Sequence, residues 1–588
     1  AEHNIKGDPK NLWKYINLKK NNTSIPGNMY YQETELTDSQ AIVNHFADYF
    51  SSVFTCDNSH SDSVFVCDKG SDITNVLHNF VISDCDINRA VKKIKPNLTM
   101  GPDGVPAFFI KDCVTCLLQP LCFLFNLIIC KATFPDRWKT AKVVPVYKSG
   151  DKHNIQNYRP IAIISNFSKL FESILSNVLY RHVSPMISTC QHGFIKGRST
   201  STNLCEYVQF ISNALEARTQ VDVIYTDLSK AFDTVKHDVL INKLLSFGIC
   251  NNLLNLFRSL LLNREQYVEY RGFRSYNYLT SSGVTQGSNL GPILFVIFFN
   301  DVFLQFKCQV FVYADDLKLA NCISNLDDCC TLQSDLNNFK VWCDNNDQII
   351  NYKKCKLIRF TRSNTNILYQ YMLNNTEIVT VSQTKDLGVI VDSQLSFVPH
   401  INYITDHAMK MSGFIYRNTL HFTNIDVLLT LYFAYVRSKL EYCSMVWDPL
   451  YNVHINNLER IQRKYCKRLY FIKYGVYPVR SFSHPVLLSA FGLCSLTARR
   501  TFANVLFLCK LINGVISCSS LVNQIKFHVP RLNSRCPLTF ALSICQTNQH
   551  MNAPLNNMCR CYNGIPEVDI FTYDIKKFCS QCKSVLGC

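Results

Sequence analysis

Tyr313-Ala314-Asp315-Asp316-Leu317 decides how this chain of 588 residues is read. The pentapeptide lies between two apolar runs, Val310-Phe311-Val312 and Leu317-Lys318-Leu319-Ala320, which predicts the tip of a β-hairpin. Two adjacent carboxylates repel and raise each other's pKa. A hard divalent cation such as Mg²⁺, which prefers oxygen ligands, compensates them. Asp-Asp is also ordinary turn chemistry, and on these five residues alone the two readings stand level.

A second segment upstream shifts the balance. Val221, Val223 and Tyr225 alternate with Asp222, Ile224 and Thr226 in a β-branched run that ends at Asp227. A carboxylate at a strand end is held by the sheet behind it and suits a metal or catalytic role. Leu228 through Leu240 carry helix-compatible spacing, so the alternative is that Asp227 caps a helix. The two roles are compatible.

Asp227-Leu228-Ser229-Lys230-Ala231-Phe232-Asp233 followed by Tyr-Ala-Asp-Asp resembles palm motifs A and C of reverse transcriptases, in the phrasing of non-long-terminal-repeat retrotransposons of the jockey-like group. Further blocks match in the family's order. They are Gly101-Pro102-Asp103-Gly104-Val105-Pro106, Asn157-Tyr158-Arg159-Pro160-Ile161, Ser165 to Glu172, and Gln191-His192-Gly193-Phe194 through Thr200. Gly283-Val284-Thr285-Gln286-Gly287-Ser288 with Leu290-Gly291-Pro292 resembles motif B. Asn351 with Lys354-Cys355 resembles motif D, and Lys385-Asp386-Leu387-Gly388-Val389 resembles motif E. The resemblance covers residues 95 to about 470.

What the resemblance implies is an α+β right-hand polymerase with an antiparallel palm sheet and a helical thumb. Residues 1–85 are expected to be a connector after an absent endonuclease, 86–215 fingers, 216–397 palm, 398–480 thumb, and 481–588 a region of unknown role. The catalytic core runs from about 135 to 395. The expected activity is RNA-directed DNA polymerisation: a primer 3′-hydroxyl attacks the α-phosphate of a deoxynucleoside triphosphate with two Mg²⁺ ions, Mn²⁺ being the alternative. Asp227 and Asp315 are the expected metal pair, with Asp316 beside them and the main-chain carbonyl of Leu228 as a further ligand. Phe232, five residues after Asp227, is expected to abut the sugar and exclude a 2′-hydroxyl; the plain alternative is a core phenylalanine. Gln286 and Gly287, expected to open the motif B helix, approach the nascent pair, and Lys148 and Arg159 flank the fingers hairpin as triphosphate ligands. Lys354 is a candidate proton donor to pyrophosphate, with Lys353 and Lys356 as rivals.

In the last thumb helix, Leu458, Ile461, Tyr465 and Leu469 form an apolar stripe, while Arg460, Arg463, Lys464, Lys467 and Arg468 form a basic face. That face reads as a solvated surface or, given the resemblance, as a contact to the nucleic-acid backbone. Lys plus Arg number 60 against 44 Asp plus Glu, a net charge of +16 that suits a polyanionic partner. The expected partners are template RNA, a DNA primer or nicked target DNA, dNTPs and the upstream endonuclease of one polyprotein, in the nucleus and cytoplasm. Hydrophobic residues make up 47% of the chain, enough for a large core. The 28 cysteines follow no disulfide pattern and read as free thiols. Cys559, Cys561, Cys579 and Cys582 have irregular spacing for a zinc knuckle and read the same way. The run from Leu117 to Cys130, interrupted by Pro120, is read as too short for a bilayer, so no membrane partner is expected. The polar stretch Cys56 to Ser63 is expected to end the connector helix. The chain begins at Ala1 and reads as a piece of a longer polyprotein. Two other readings compete: a catalytically silent, element-derived RNA-binding relic, and a group II intron maturase. Intact Asp227, Asp315, Asp316, Phe232 and Gln286 speak against the first. The motif E phrasing and Leu440 to Pro449 speak against the second.

Overall fold

The computed structural model describes residues 2–20, 25–54, 76–362, 366–479, 481–529 and 538–588. The expected break at Cys56 to Ser63 lies outside them. The architecture mixes helices with sheets, two of them five-stranded, and the names palm, fingers and thumb are kept for the ranges expected from the sequence.

The palm is a five-stranded sheet in the order Val379–Thr380, Lys356–Phe360, Gln220–Thr226, Asp316–Ile323, Gln309–Tyr313. Its central strand pairs antiparallel with both neighbours; only the short edge strand Val379–Thr380 runs parallel to its neighbour. Alternation along the strands buries both faces. Ile224, Leu317, Leu319 and Leu357 point into one core, shared with the helix Leu326–Asn345. Val221, Val223, Ala320 and Ile358 point into a second, shared with the helix Thr200–Glu216 and the thumb. A strand buried on both faces is fixed in register, because a slip of one residue would exchange the two faces. The register Leu317 opposite Thr226 therefore sets Asp316 and Asp227 side by side at one end of the sheet.

The fingers hairpin pairs Thr140–Tyr147 with Tyr158–Ile163. Its other neighbour is Arg264–Tyr270, which runs parallel to Thr140–Tyr147 and pairs with Tyr278–Thr280. These two strands lie within the range read as palm but belong to the fingers sheet. The helix Ser39–Ser51, within the range read as connector, packs its Val43, Phe46 and Phe50 against Val143, Tyr158 and Val268 of that sheet. The helix Val114–Lys131 is longer than the apolar run it contains. It is the one helix among the described residues long and apolar enough to cross a membrane. Leu121, Phe125, Ile128 and Ile129 instead bury one side of it in the fingers core.

The thumb is helical, with Val398–Asn418 against Asn452–Tyr474. Leu458, Ile461, Tyr465 and Leu469 are all buried there, as their spacing predicts. The region after residue 481 contributes the helices Leu496–Ile512, Pro554–Asn563 and Ile575–Leu586 to the same core as palm and thumb.

Candidate active site

The expected helix after Asp227 does not start there. Leu228 forms an isolated bridge with Ile350, residues 229–236 hold bends and a turn, and the helix is His237–Ser246. Backbone pairing explains the delay. The Asn351 amide donates to the Asp227 carbonyl at 2.8 Å, and the Ser229 amide donates to the Ile349 carbonyl at 2.7 Å. The segment is thus held as a strand edge, and Lys230 at φ 54° bends it away. Asp227 ends the sheet and caps no helix. Motif B shows a similar shift. Its helix is Gly291–Phe299, four residues later than expected, because Gly287 at φ 116° lies outside helical backbone.

One cavity of about 560 Å³ gathers the expected chemistry. Asp227, Leu228, Phe232, Gln286, Gly287, Asp315, Asp316, Lys354, Lys148 and Arg159 all line it. The strand ends bring the aspartates from below, the fingers hairpin brings Lys148 and Arg159 from above, and the turn before Gly291–Phe299 closes one side. Burial first, and then the charge of Asp227, raise the pKa of Asp315. Lost hydration within the site, then Asp315 and Asp386, push Asp316 up to about 6, although its residue keeps an exposed edge. The Lys354 ammonium meets Asp227 Oδ2 at 3.1 Å. Burial and the charges of Arg159 and Lys354 lower the pKa of Lys148, and Asp227 and Asp315 act on it in the opposite sense. Cations thus stand beside carboxylates that line one cavity and repel one another. That donor set fits hard divalent ions and offers nothing to soft ones.

Phe232 is half buried, stacked on Phe295 with ring centroids 4.2 Å apart and met edge-on by Phe194 at 6.0 Å. Both sequence readings of it hold at once: its back packs in the core, and it lines the cavity. Gln286 donates through Nε2 to Asp233 Oδ1 at 2.7 Å, and its carbonyl accepts the Ala162 amide of the fingers strand at 2.9 Å. Burial pushes Asp233 up to about 6.

Sequence reasoning missed several lining residues. Tyr49, Phe50 and Phe54 reach the cavity from the region read as connector, and Lys230 Nζ sits 4.6 Å from the centre of the Tyr49 ring. Their aromatic spacing at 46, 49, 50 and 54 was the available signal, but a core helix gives the same one.

On the thumb, Arg460 and Lys464 are exposed one turn apart, and Lys467 lies 5.8 Å from the Tyr477 ring. Arg463 donates to the Phe482 carbonyl at 2.9 Å, and Arg468 donates to the Thr419 carbonyl and hydroxyl, both at 3.0 Å. The free basic face is narrower than the sequence suggests. The cysteines at 559, 561, 579 and 582 are free. Among the described residues the one group of three or more ligand atoms close enough to share a metal ion is His192, Glu206 and Cys518; neither the four cysteines nor Asp227, Asp315 and Asp316 are drawn that close.

Residues 148–391 match the family model described as reverse transcriptase, RNA-dependent DNA polymerase. The chain carries a reverse transcriptase domain. Its curated relatives are polymerases of non-LTR retrotransposons. The RNA-directed DNA polymerase from mobile element jockey of Drosophila funebris is 27% identical over 404 residues, which are 65% of this chain and 43% of the relative. The probable RNA-directed DNA polymerase from transposon BS of Drosophila melanogaster is 28% identical over 335 residues, 54% of this chain and 37% of the relative. The matched part is thus less than half the length of these reverse transcriptase relatives.

Proposed function

We propose that this chain is an RNA-directed DNA polymerase that copies retrotransposon RNA into DNA from a primer 3′-hydroxyl, with a nicked chromosomal end as primer. One observation carries the reading: ten residues drawn from five separate sequence blocks line a single cavity. Asp227 and Asp315, with the Leu228 carbonyl, would hold the ions, and Asp316 would adjust the charge around them. The chemistry two Mg²⁺ ions would supply when bound is activation of the primer hydroxyl and neutralisation of the departing pyrophosphate. Arg159 and Lys148 grip the triphosphate, the arginine through its planar fork. Phe232 fills the space beside the sugar 2′ position, so deoxyribonucleotides are the substrate class. Gln286 and Gly287 lie under the nascent pair, and Lys354 protonates the leaving oxygen. Arg460, Lys464 and Lys467 meet the backbone of the template–primer duplex. An RNA-bound particle that passes between cytoplasm and nucleus fits this work.

The test is incorporation of labelled dTTP on poly(rA)·oligo(dT) with Mg²⁺, comparing the parent with Asp315→Ala. The parent is expected to extend the primer, and the variant to lose about a thousandfold or more, since preorganised charge is the main term in phosphoryl transfer. A folded parent that extends nothing would favour the silent RNA-binding reading. A variant as active as the parent would displace Asp315 from the site.

A further inference from the structure

Asp315 occupies a turn whose backbone is unusual. Tyr313 and Asp316 are paired across the hairpin, which leaves Ala314 and Asp315 as a two-residue loop. Ala314 sits at φ 59°. The first central residue of such a loop is normally glycine when φ is positive, because a Cβ disfavours the left-handed region. Ala314 has a Cβ and is buried, so something outside the hairpin has to hold it.

The holder is the side chain of Gln191, itself only 1% exposed. Gln191 Oε1 accepts the Ala314 amide at 2.9 Å and the Gly193 amide at 2.7 Å. Gln191 Nε2 donates to the Ala314 carbonyl at 3.2 Å. One carboxamide therefore grips both the N–H and the C=O of the residue just before Asp315. The backbone around it is fixed in turn. The His192 amide donates to the Val312 carbonyl at 2.9 Å, and Arg198 Nη1 donates to the Gln191 carbonyl at 2.6 Å. His192 is anchored by Thr202 Oγ1 at 2.7 Å and Glu206 Oε2 at 2.9 Å. A Cβ on Gly193 would lie 2.3 Å from the Ala314 nitrogen, so the approach has no room for a larger residue.

We propose that Gln191 is a positioning residue: by holding the Ala314 peptide in its left-handed conformation it aims the Asp315 carboxylate at Asp227 for joint metal binding. The inference rests on the polymerase reading for its consequence but not for its geometry. Glutamine is the residue the geometry asks for. Glutamate keeps the acceptor and loses the donor, and methionine fills the space with neither.

The test compares Gln191→Met and Gln191→Glu, each alone and combined with Ala314→Gly. Glycine adopts the turn conformation unaided, so it should replace the clamp. Three readouts are taken on the whole chain: Mn²⁺ binding by electron paramagnetic resonance, kcat and KM for dTTP, and melting temperature. Gln191→Met is expected to weaken Mn²⁺ binding about tenfold and to lower kcat by about 10–100-fold, the usual range for residues that orient ligands. KM for dTTP should hardly move. Ala314→Gly should restore most of both losses, which a merely space-filling glutamine would not allow. Binding and kcat at parental values in a folded Gln191→Met protein would overturn the proposal, as would losses that Ala314→Gly leaves untouched. Should the methionine variant fail to fold, Gln191→Glu carries the same comparison. The melting temperatures test the clamp whether or not the chain polymerises: additive effects of the two substitutions overturn it, and coupled effects support it. A coupled pair in a parent that neither binds Mn²⁺ nor extends a primer would uphold the clamp and overturn the polymerase reading instead.

Discussion

Phe232 is pinned between Phe295 and Phe194, so it cannot swing aside to admit a bulkier sugar. Phe232→Val removes the ring while keeping a branched apolar stem. Relative use of UTP against dTTP should rise by about 10–100-fold, the range one steric contact commands. Single-nucleotide extension with each substrate measures it, and an unchanged ratio would return Phe232 to the core. Its neighbour Asp233 makes a separate statement about pH. Burial raises its carboxyl from 3.8 to about 6, so the folded state prefers the proton more than the unfolded chain does. The stability this contributes is complete below the unfolded value and is lost as the pH climbs through about 6. Asp233→Asn keeps an oxygen for the Gln286 amide and cannot ionise. It should raise the melting temperature at pH 8, by at most about 3 kcal/mol of stability, and leave it unchanged near pH 4. Equal melting at both values would mean that Asp233 is not desolvated in the folded protein.

At the scale of elements, the turn at Gln286-Gly287 meets the fingers strand backbone to backbone. The Gln286 carbonyl accepts the Ala162 amide, and a Cβ on Gly287 would lie 2.4 Å from the Ala162 oxygen at a φ of 116°. Gly287→Ala has to push the fingers strand away or twist the turn, either at a cost of about 1–3 kcal/mol. Because Arg159 rides on that strand, KM for dTTP should rise together with the loss of stability. A stability loss without a KM change would separate the seam from the triphosphate grip. This seam was only partly legible in the sequence. The Gly-Val-Thr-Gln-Gly-Ser stretch announced close backbone approach, but not which strand approaches. The palm strands were legible because alternation and β-branching concentrate in 221–226 and 310–320. The start of the helix after Asp227 was not, since residues 228–240 keep helical spacing while the Ser229 amide donates to Ile349 and the Asp227 carbonyl accepts from Asn351, far along the chain. Parallel pairing of 140–143 with 265–268 is likewise a long-range fact with no local signature. The carboxylates of the site were readable for the opposite reason: adjacent acids need a partner and so stand out. Tyr49 and Gln191 do ordinary things locally and acquire their roles only from what packs against them.

The whole molecule is held together by parts that looked separate. The region after residue 481 closes on the helix Thr200–Glu216 and on one partly buried carboxylate, Asp448. Arg500, 1% exposed, donates to Asp448 Oδ1 at 2.7 Å. Asn504 and Asn557 donate to Oδ2 at 3.0 and 3.2 Å, and Asn552 donates to the Asp448 carbonyl at 2.5 Å. Two helices of the last region, Leu496–Ile512 and Pro554–Asn563, and Asn552 just before the second thus converge on one residue of the thumb. Asp448→Ala leaves the Arg500 guanidinium buried without its counter-charge, which costs about 3–5 kcal/mol. Asp448→Asn keeps hydrogen-bonding groups but not the charge and should fall between. Because the pair is shielded from solvent, the loss should be nearly the same at low and high salt, unlike that of a surface ion pair. The measurement is the denaturant midpoint of parent and variants at two ionic strengths. A drop that vanishes in high salt would place the pair at the surface. No drop at all would mean that the last hundred residues fold beside the polymerase rather than as part of it. The same network predicts that a chain cut after residue 480 exposes the apolar faces of palm and thumb now covered by Val505, Leu508, Met558 and Phe578. Such a chain should aggregate even though every residue of the cavity remains in it.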